Sequence, residues 1–379
     1  MIPVMKPWLG EEEAAAAADA VRSGWVAQGP RVAEFEARFA ERVGAPHAVA
    51  VSSCTTALHL ALHLLGLGPG DEVVVPSFSF IATANSAVYV GATPVFADVE
   101  PEDGNLSART VQAVLTDRTR AVVVVHQGGM PADVDALREL CVPRGIAVVE
   151  DAACAAGSTY HGRPVGAGSA MAAWSFHPRK LLTTGEGGML TTSDPEVAAR
   201  ARRLREHGMD VSAADRHRSR QPVIESYLEV GFNFRMTDVQ AAIGLVQLGK
   251  LDAMVRRRRE LAARYHELLA GISGVRPVHD PAHGQSNFQS FWVELDAGFP
   301  LARNAVLRAL ADEGVSARAG IMATHRQPAY AEHPHGNLAI TERLTDGTLI
   351  LPLYHAMSLD EQDTVVAALR RAAGARVAS

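Results

Sequence analysis

Short, continuous runs of valine and isoleucine alternate with helix-forming segments through the first two thirds of this 379-residue chain. Five runs are typical of buried strands: "HAVAVSS", "DEVVVPS", "TPVFADV", "TRAVVVVH" and "IAVVED". Segments between them, such as "CTTALHLALHLLGLG" and "DVDALRELCVPRG", show helical spacing of apolar residues and end at glycine. Strands without an alternating polar face are expected where helices cover both sides of a sheet. The pattern therefore predicts an α/β fold with a mostly parallel sheet.

The pattern changes after about residue 250. A long helix is predicted in "KLDAMVRRRRELAARYHELLAG", followed by a strand in "FQSFWVELD" and helices in "ARNAVLRALADEG" and "LDEQDTVVAALRRAAG". We therefore expect two domains: residues 1–250 as a large α/β domain and residues 251–379 as a smaller α+β domain, hinged on the long helix. The basic run Arg256–Arg259 is interpreted as the solvated face of that helix, with a polyanion contact as the alternative.

Composition argues against several classes of function. The net charge of −6 and the pI near 6.2 give no electrostatic reason to expect a nucleic-acid partner. Without a long apolar run, an apolar leader in "MIPVMKPWLG" or a disulfide pattern in its three cysteines, the chain is expected in a reducing cytoplasm, away from membranes. The histidines of "HDPAH" and "HPH" lie in loop-like stretches without metal-ligand spacing, so no metal site is predicted.

Ligands of open α/β sheets bind outside the carboxyl ends of the strands. Four segments lie there: residues 52–56, 76–80, 126–129 and 150–154. The first, "SSCTT", places small residues and hydroxyls where a helix begins, which suits either a phosphate or ordinary helix capping by Ser53 or Thr55. The last begins with the carboxylates Glu150 and Asp151, which suit either a functional site or a turn.

A single lysine, Lys180, stands in "WSFHPRKLLTTGEGGML" directly after an apolar run. Pyridoxal phosphate (PLP) uses a phosphate seat, an anion for its ring nitrogen and an amine for a Schiff base. An aromatic side chain over the ring, such as Phe80 at a strand end, completes the set. Beside a positively charged ring, a partly desolvated lysine is expected to have a depressed pKa. "GEGG", residues 185–188, is expected to shape the turn after the lysine.

Three motifs, of which one contains Lys180, occur in the right order to make the sequence similar to a known family. They are "VEDAACAAGS", "SFHPRKLLTTGEGG" and "GFNFRMTDVQAAIGLVQLGKLD", with "GATPVFADV" and "PADVDAL" preceding them in the chain. With these, the chain resembles the DegT/StrS-type sugar aminotransferases, which are PLP-dependent enzymes of the aspartate aminotransferase fold (fold type I). The resemblance extends over nearly the whole chain. It implies a large domain with a mostly parallel seven-stranded sheet and a smaller C-terminal α+β domain.

The resemblance also implies roles for individual residues. Lys180 would carry the cofactor, and Asp151 would pair with its ring nitrogen, as the catalytic residues. The cofactor-binding residues would be Thr55, Thr56, Phe80, Asp151, Cys154, Ser175, Lys180 and Asn233. Asn233 would reach the phosphate of a neighbouring subunit, which implies a homodimer with a shared active site. Three residues match positions near the substrate: His177, Arg235 and His325.

The chain departs from the family at Cys154. Members commonly carry "EDAAQA", with a glutamine beside the ring hydroxyl of the cofactor, whereas this chain has "EDAACA". A thiol is shorter than an amide and a weaker hydrogen-bond donor. We therefore expect the tuning of the cofactor or the fit of the substrate to differ here.

The implied reaction is a transamination in two steps, from L-glutamate or L-glutamine to a ketone on a sugar, expected in nucleotide-linked form, within amino-sugar biosynthesis. A cyclitol aminotransferase that uses L-glutamine and a keto-inositol is the close alternative. By the same resemblance, a related sugar dehydratase of this fold would carry histidine in place of Lys180. A regulator without activity would not need both Lys180 and Asp151. A nicotinamide-dependent oxidoreductase would need a G-x-G-x-x-G motif, which "SSCTTA" does not provide.

Overall fold

The computed structural model describes residues 1–211 and 222–374. Nine strands lie in its first two thirds: β1 (His47–Val51), β2 (Glu72–Pro76), β3 (Thr93–Ala97), β4 (Thr119–Val125), β5 (Ala147–Asp151), β6 (Thr159–Tyr160), β7 (Arg163–Pro164), β8 (Met171–Ser175) and β9 (Gly188–Thr192). Strands β10 (Val275–Pro277), β11 (Gly284–Gln285), β12 (Phe291–Leu295), β13 (Arg318–Ala319) and β14 (Thr348–Leu351) follow.

The helices of the described residues connect and cover these strands. They are α1 (Glu11–Arg22), α2 (Pro30–Val43), α3 (Cys54–Leu64), α4 (Ala82–Tyr89), α5 (Ala108–Gln112), α6 (Val134–Cys141), α7 (Pro195–Leu204), α8 (Asp238–Leu269), α9 (Arg303–Asp312), α10 (Ala339–Gly347) and α11 (Leu359–Gly374). Every helix and strand named from the sequence is present.

The main sheet has seven strands in the order β1-β9-β8-β5-β4-β2-β3. Only β9 runs antiparallel to its neighbours, β1 and β8. The others pair in parallel through β8, β5, β4, β2 and β3. The predicted α/β class, with its mostly parallel seven-stranded sheet, is confirmed. Strands β8 and β9 escaped sequence reading because "MAAWS" and "GMLTT" carry few β-branched apolar residues.

Helix α2 fixes the end of β8, which leads into the lysine segment. Phe39 packs edge-on against Trp174 and Phe176, with ring centroids 5.2 Å and 5.3 Å apart, and all three side chains are buried. Aromatic pairs of this geometry stabilise a fold beyond the area that they bury. The chain therefore leaves the sheet at Ser175 from a firmly packed position.

The C-terminal part contains a second sheet, in the order β10-β12-β14-β13. The N-terminus lies against this part, because Ile2 pairs with Val315 and the Leu353 N–H donates to the carbonyl of Val4. Helix α8 runs without interruption through residue 250. The division into residues 1–250 and 251–379 stays a prediction, and residues 212–221 and 375–379 of those two domains lie outside the described part.

The arginine run on α8 is not simply a solvated face. Arg258 is buried, and its guanidinium donates to the carbonyls of Phe288, Gln289 and Leu353 at 2.8 to 2.9 Å. Arg259 donates to the carbonyl of Ser286. The interpretation as a solvated face is therefore wrong for these two residues, because the C-terminal part folds back over this stretch of α8.

Other expectations from composition can be compared with the described residues. No helix there is long and apolar enough to cross a membrane. Residues 1–211 and 222–374 hold no group of three or more His, Cys, Asp or Glu side chains that could bind a metal ion. Cys54, Cys141 and Cys154 are free thiols.

Candidate active site

The carboxyl end of β1 leads directly into α3. Ser53 has extended backbone angles and caps the helix: its hydroxyl accepts the Thr56 N–H, and the Thr56 hydroxyl accepts the Ser53 N–H in return. The first N–H groups of a helix have no intrahelical partner and carry a partial positive charge. Capping by Ser53 thus coexists with a helix N-terminus that suits an anion.

Gly188 lies against this helix start from the neighbouring strand. A Cβ atom on Gly188 would come within 2.3 Å of the Ser53 carbonyl carbon and 2.6 Å of the Cys54 nitrogen. In the sheet, Gly188 pairs with Val51 on one side and with Ser175 on the other. The glycine therefore brings the α3 start and Ser175 to one edge. "GEGG" does more than turn the chain, although Gly185, with φ of +83°, also serves the turn.

We expect Gly188→Ala to weaken cofactor binding, because the added methyl group must displace the Ser53–Cys54 backbone. The dissociation constant of the cofactor, measured by absorbance titration, should rise about 10-fold or more, corresponding to about 1.4 kcal/mol. Gly249→Ala is the matched control, since a Cβ there meets nothing within 4 Å and alanine favours the interior of α8. Equal affinities of Gly188→Ala and Gly249→Ala for the cofactor would contradict the assignment of the α3 N-terminus as the phosphate site.

Asp151, the last residue of β5, is a buried carboxylate. It accepts hydrogen bonds from the Thr83 hydroxyl at 2.9 Å and from the Ala153 N–H at 3.2 Å, and the thiol of Cys54 lies 3.9 Å away. Burial raises the pKa of Asp151 despite these bonds and the nearby charge of Lys180. A cationic group beside Asp151 would offset the cost of burying its charge.

Lys180 lies in the loop between β8 and β9, with its amine directed toward Cys154. The distance from Lys180 Nζ to Cys154 Sγ is 3.0 Å, and both side chains are half-buried. Burial opposes the protonated amine, but Cys154, Cys54 and Asp151 outweigh it and raise the pKa of Lys180. The expected depression concerns a lysine beside the positively charged ring and stays a prediction, whereas the protein groups by themselves raise this pKa.

Glu150 faces the other side of β5 from Asp151 and forms a buried ionic cluster. Its carboxylate contacts His126 Nε2 at 3.1 Å and Arg138 Nη2 at 2.6 Å. His126 Nδ1 accepts the Ala132 N–H at 3.0 Å, so Nε2 carries the proton that is donated to Glu150. Burial opposes ionisation, yet His126 and Arg138 hold the pKa of Glu150 below its ordinary value. Of the two carboxylates of "VED", Glu150 is structural.

We expect Glu150→Gln to destabilise the protein by about 3–5 kcal/mol at pH 7, as for a buried ion pair that loses one partner. Because the folded-state pKa of Glu150 is lowered, its contribution is present above the unfolded pKa and is lost as the pH falls through the folded pKa. Chemical denaturation at pH 7 and pH 4 should show a smaller acid loss for Glu150→Gln than for wild type. Exposed Glu139→Gln serves as the control, and parallel acid curves would contradict this role.

Two other predicted cofactor residues lie at the same edge of the sheet. Thr55, in the first turn of α3, is half-buried. Phe80 follows β2 and is 64% exposed, one turn before the Thr83 that binds Asp151. Their contacts with a cofactor stay predictions.

The segment of Asn233 and Arg235 also reaches this edge. The Ser52 N–H donates to the carbonyl of Phe234 at 2.8 Å, and Arg235 pairs with Val51. Asn233 pairs with Glu206 through the backbone, and its side chain is exposed. The segment is thus anchored on its own subunit beside the phosphate seat, while Asn233 is accessible to a second subunit.

Two of the predicted substrate residues are histidines with different surroundings. His177 is half-buried, its Nδ1 accepts the Arg179 N–H at 3.1 Å, and burial lowers its pKa. His325 is buried, with Nδ1 2.7 Å from the Ser77 hydroxyl and Nε2 3.2 Å from Glu342. Because both ring nitrogens of His325 have protein partners, its contacts are those of a residue that ties the C-terminal part to the end of β2.

Sequence reading missed three residues at this site: Cys54, Thr83 and Gly188. Thr83 carried a usable signal, because it lies three residues after Phe80, in the first turn of a helix that starts at the same sheet edge. Gly188 carried only its place in "GEGG". Cys54 carried none, since its position beside Asp151 depends on how α3 lies on the sheet.

The donor set fits PLP. A helix N-terminus that is kept open by Gly188 suits the phosphate, buried Asp151 suits a protonated ring nitrogen, and the Lys180 amine suits the aldehyde. These three features lie at one edge of the sheet, as expected for ligands of open α/β folds.

Comparison with known proteins agrees with this chemistry. Residues 7–370 match the model of the DegT/DnrJ/EryC1/StrS aminotransferase family. The spore coat polysaccharide biosynthesis protein SpsC of Bacillus subtilis (strain 168) is 40% identical over 378 residues, covering 97% of this chain and 96% of SpsC.

Solved structures extend the match to three dimensions. The aminotransferase TlmJ of Streptoalloteichus hindustanus superposes with a TM-score of 0.91 at 42% identity, covering 99% of both chains. The putative sugar aminotransferase Spr1654 of Streptococcus pneumoniae, in its PMP form, gives 0.93 at 27% identity, also covering 99% of both chains. This protein is therefore an aminotransferase and belongs to the DegT/DnrJ/EryC1/StrS aminotransferase family.

Proposed function

We propose that the protein uses PLP to move an amino group from L-glutamate or L-glutamine to a ketone on a nucleotide-linked sugar, in the biosynthesis of an amino sugar. The observation that carries the proposal is the amine of Lys180 at the sheet edge that also holds Asp151 and the N-terminus of α3. The family membership, and the description of Spr1654 as a sugar aminotransferase, support the substrate class.

In this proposal each group of the protein has a separate task. When bound, PLP supplies an aldehyde that reacts with amines and a ring that stabilises negative charge. The first turn of α3 and Ser175 would hold the phosphate, Asp151 would keep the ring nitrogen protonated, and Phe80 would cover the ring. Lys180 Nζ would move a proton from the donor carbon to the cofactor carbon that receives the amine, and back in the opposite direction when the keto-sugar is aminated. Cys154, 3.0 Å from that nitrogen, accepts its hydrogen bond and directs it.

The proposed functional unit is a homodimer in the cytoplasm. The exposed side chain of Asn233, beside the backbone that contacts Ser52, supports an active site that two subunits share. Three free thiols among the described residues support a reducing compartment.

Absorbance spectroscopy tests the proposal. Protein loaded with PLP is expected to be yellow, to lose the yellow band with L-glutamate or L-glutamine, and to regain it when a nucleotide-linked keto-sugar is added. Return of the band with keto-inositols alone would favour the cyclitol aminotransferase. Failure to bind PLP at all would contradict the proposal and favour a regulator without activity.

A further inference from the structure

The backbone on both sides of Lys180 is held by one distant side chain. Gln289 Oε1 accepts the Leu181 N–H at 2.8 Å, and Gln289 Nε2 donates to the Arg179 carbonyl at 2.5 Å. The amide thus binds the residue before the lysine and the residue after it. Within the described part of its own loop, the backbone of Lys180 makes one hydrogen bond, in which its N–H donates to the His177 carbonyl at 2.8 Å. A loop of this kind depends on outside contacts for a fixed conformation.

Asn287, two residues before Gln289, binds the segment of the chain that carries Cys154. Asn287 Nδ2 donates to the carbonyls of Cys154 and Ala156, both at 2.8 Å. Its Oδ1 accepts the Gln289 N–H at 2.7 Å, so the two side chains are joined. One short segment, Asn287–Gln289, therefore binds both the turn after β5 that carries Cys154 and the loop that carries Lys180.

This segment has a conformation that its own sequence does not favour. Phe288 has a φ of +49°, in the left-handed region that residues other than glycine rarely adopt. Residues held in such conformations cluster at functional sites, where the surrounding structure imposes them. Here buried Arg258 imposes it, since its guanidinium binds the carbonyls of both Phe288 and Gln289. Gly129 leaves space for the Asn287 side chain, because a Cβ atom on residue 129 would lie 2.0 Å from Asn287 Oδ1.

We infer that Gln289 is a positioning residue for the reaction: its amide fixes the peptide groups of Arg179 and Leu181, and so sets where the Lys180 amine lies relative to Cys154. The inference rests on the role proposed above for Lys180. Arg258 is buried together with the three carbonyls that it binds, and a buried cation that lost them would be left without partners. The contacts of Arg258 therefore hold the Asn287–Gln289 segment rigidly. Gln289 acts through the backbone and needs no contact with substrate.

Gln289→Met tests the inference in the full-length holoenzyme, since methionine keeps the volume and removes both hydrogen bonds. We expect PLP still to bind, the reaction with the amino donor to slow about 10- to 100-fold, and the pH midpoint of the visible band to move by about half a unit or more. Gln362→Met is the matched control. Gln362 is also buried and donates to a backbone carbonyl, that of Leu261, but it lies on α11.

Gln289→Glu separates positioning from general stability. Burial raises the pKa of a carboxyl group at this position, and its protonated form donates one hydrogen bond and accepts another, as the amide does. The donor reaction of this variant, relative to wild type at each pH, should therefore recover as the pH is lowered, while that of Gln289→Met should not.

Two results would overturn the inference. One is a Gln289→Met enzyme whose rate and band midpoint match those of wild type and Gln362→Met. The other is an equal loss in Gln289→Met and Gln289→Glu at every pH, together with equally lowered melting temperatures, which would make Gln289 structural only. Absence of the visible band from the wild type would instead contradict the proposed function.

Discussion

Lys180→Ala is expected to lower the rate of the donor reaction by about 10³-fold and to abolish the visible band that responds to L-glutamate. Alanine removes both the amine that would bind the cofactor aldehyde and the group that would move the proton. Because the side chain is only half-buried and ends at Cys154, we expect the fold to tolerate the change. The measurement is a stopped-flow absorbance trace with saturating donor, beside a melting curve.

The chain offers an unusually clear control for this experiment, since it has only three lysines: Lys6, Lys180 and Lys250. Reduction of the PLP-loaded protein with borohydride, followed by peptide mass analysis, should place the label on the Lys180 peptide. Lys6→Ala should be labelled and react as wild type does. A label on Lys250, which pairs with Glu12 and Glu13, would contradict the assignment.

Asp151→Asn is expected to lower the same rate by about 10²- to 10³-fold while leaving the protein folded. The Ala153 N–H binds Oδ1 of Asp151 and the Thr83 hydroxyl binds Oδ2. Asparagine keeps its oxygen for the Ala153 N–H and turns its NH2 group toward the Thr83 hydroxyl, which can also accept, while the negative charge is lost. Without that charge, a protonated ring nitrogen would lose its partner in a buried, weakly polar position. Steady-state kinetics should show the loss in kcat more than in KM.

The control for Asp151→Asn is Asp98→Asn, directly after β3, the edge strand of the same sheet. Asp98 accepts hydrogen bonds from the N–H groups of Ile340 and Thr341, which begin α10, and so has a structural role. This variant should lose stability without a comparable loss in kcat. Equal kinetic losses in the two variants would show that Asp151 acts through the fold alone.

Much of the main sheet could be predicted because the burial of its strands is visible in a few consecutive residues. Continuous apolar runs, such as those of β2 and β4, record burial on both faces within a few residues. Strands β8 and β9 have no such record: their small residues belong in the sheet because aromatic rings of α2 and the start of α3 lie close to them. That information is spread over distant parts of the chain and is not visible in a local pattern.

The same distinction separates the parts of the site. Lys180 and Asp151 could be predicted, since each stands in a motif whose composition matches its chemistry, and the structure places them close enough for their charges to interact. Arg258 and Gln289 could not be predicted. Arg258 looked solvated within four consecutive arginines, and its role arises only when residues 30 and 31 positions away fold onto it. Their function lies in backbone contacts, which leave no motif.

Helix α8 fixes the spacing between the residues that pack against its first half and those that pack against its second half. It has 32 residues and spans about 48 Å at 1.5 Å per residue. Its first half contacts Glu13 of α1 through Gln247 and Lys250, and its second half carries Arg258. One inserted residue would turn everything beyond it by about 100° around the helix axis and carry Arg258 away from its carbonyls. Insertions and deletions are therefore expected in the surrounding loops and not in this helix, because its length sets the position of both parts of the protein.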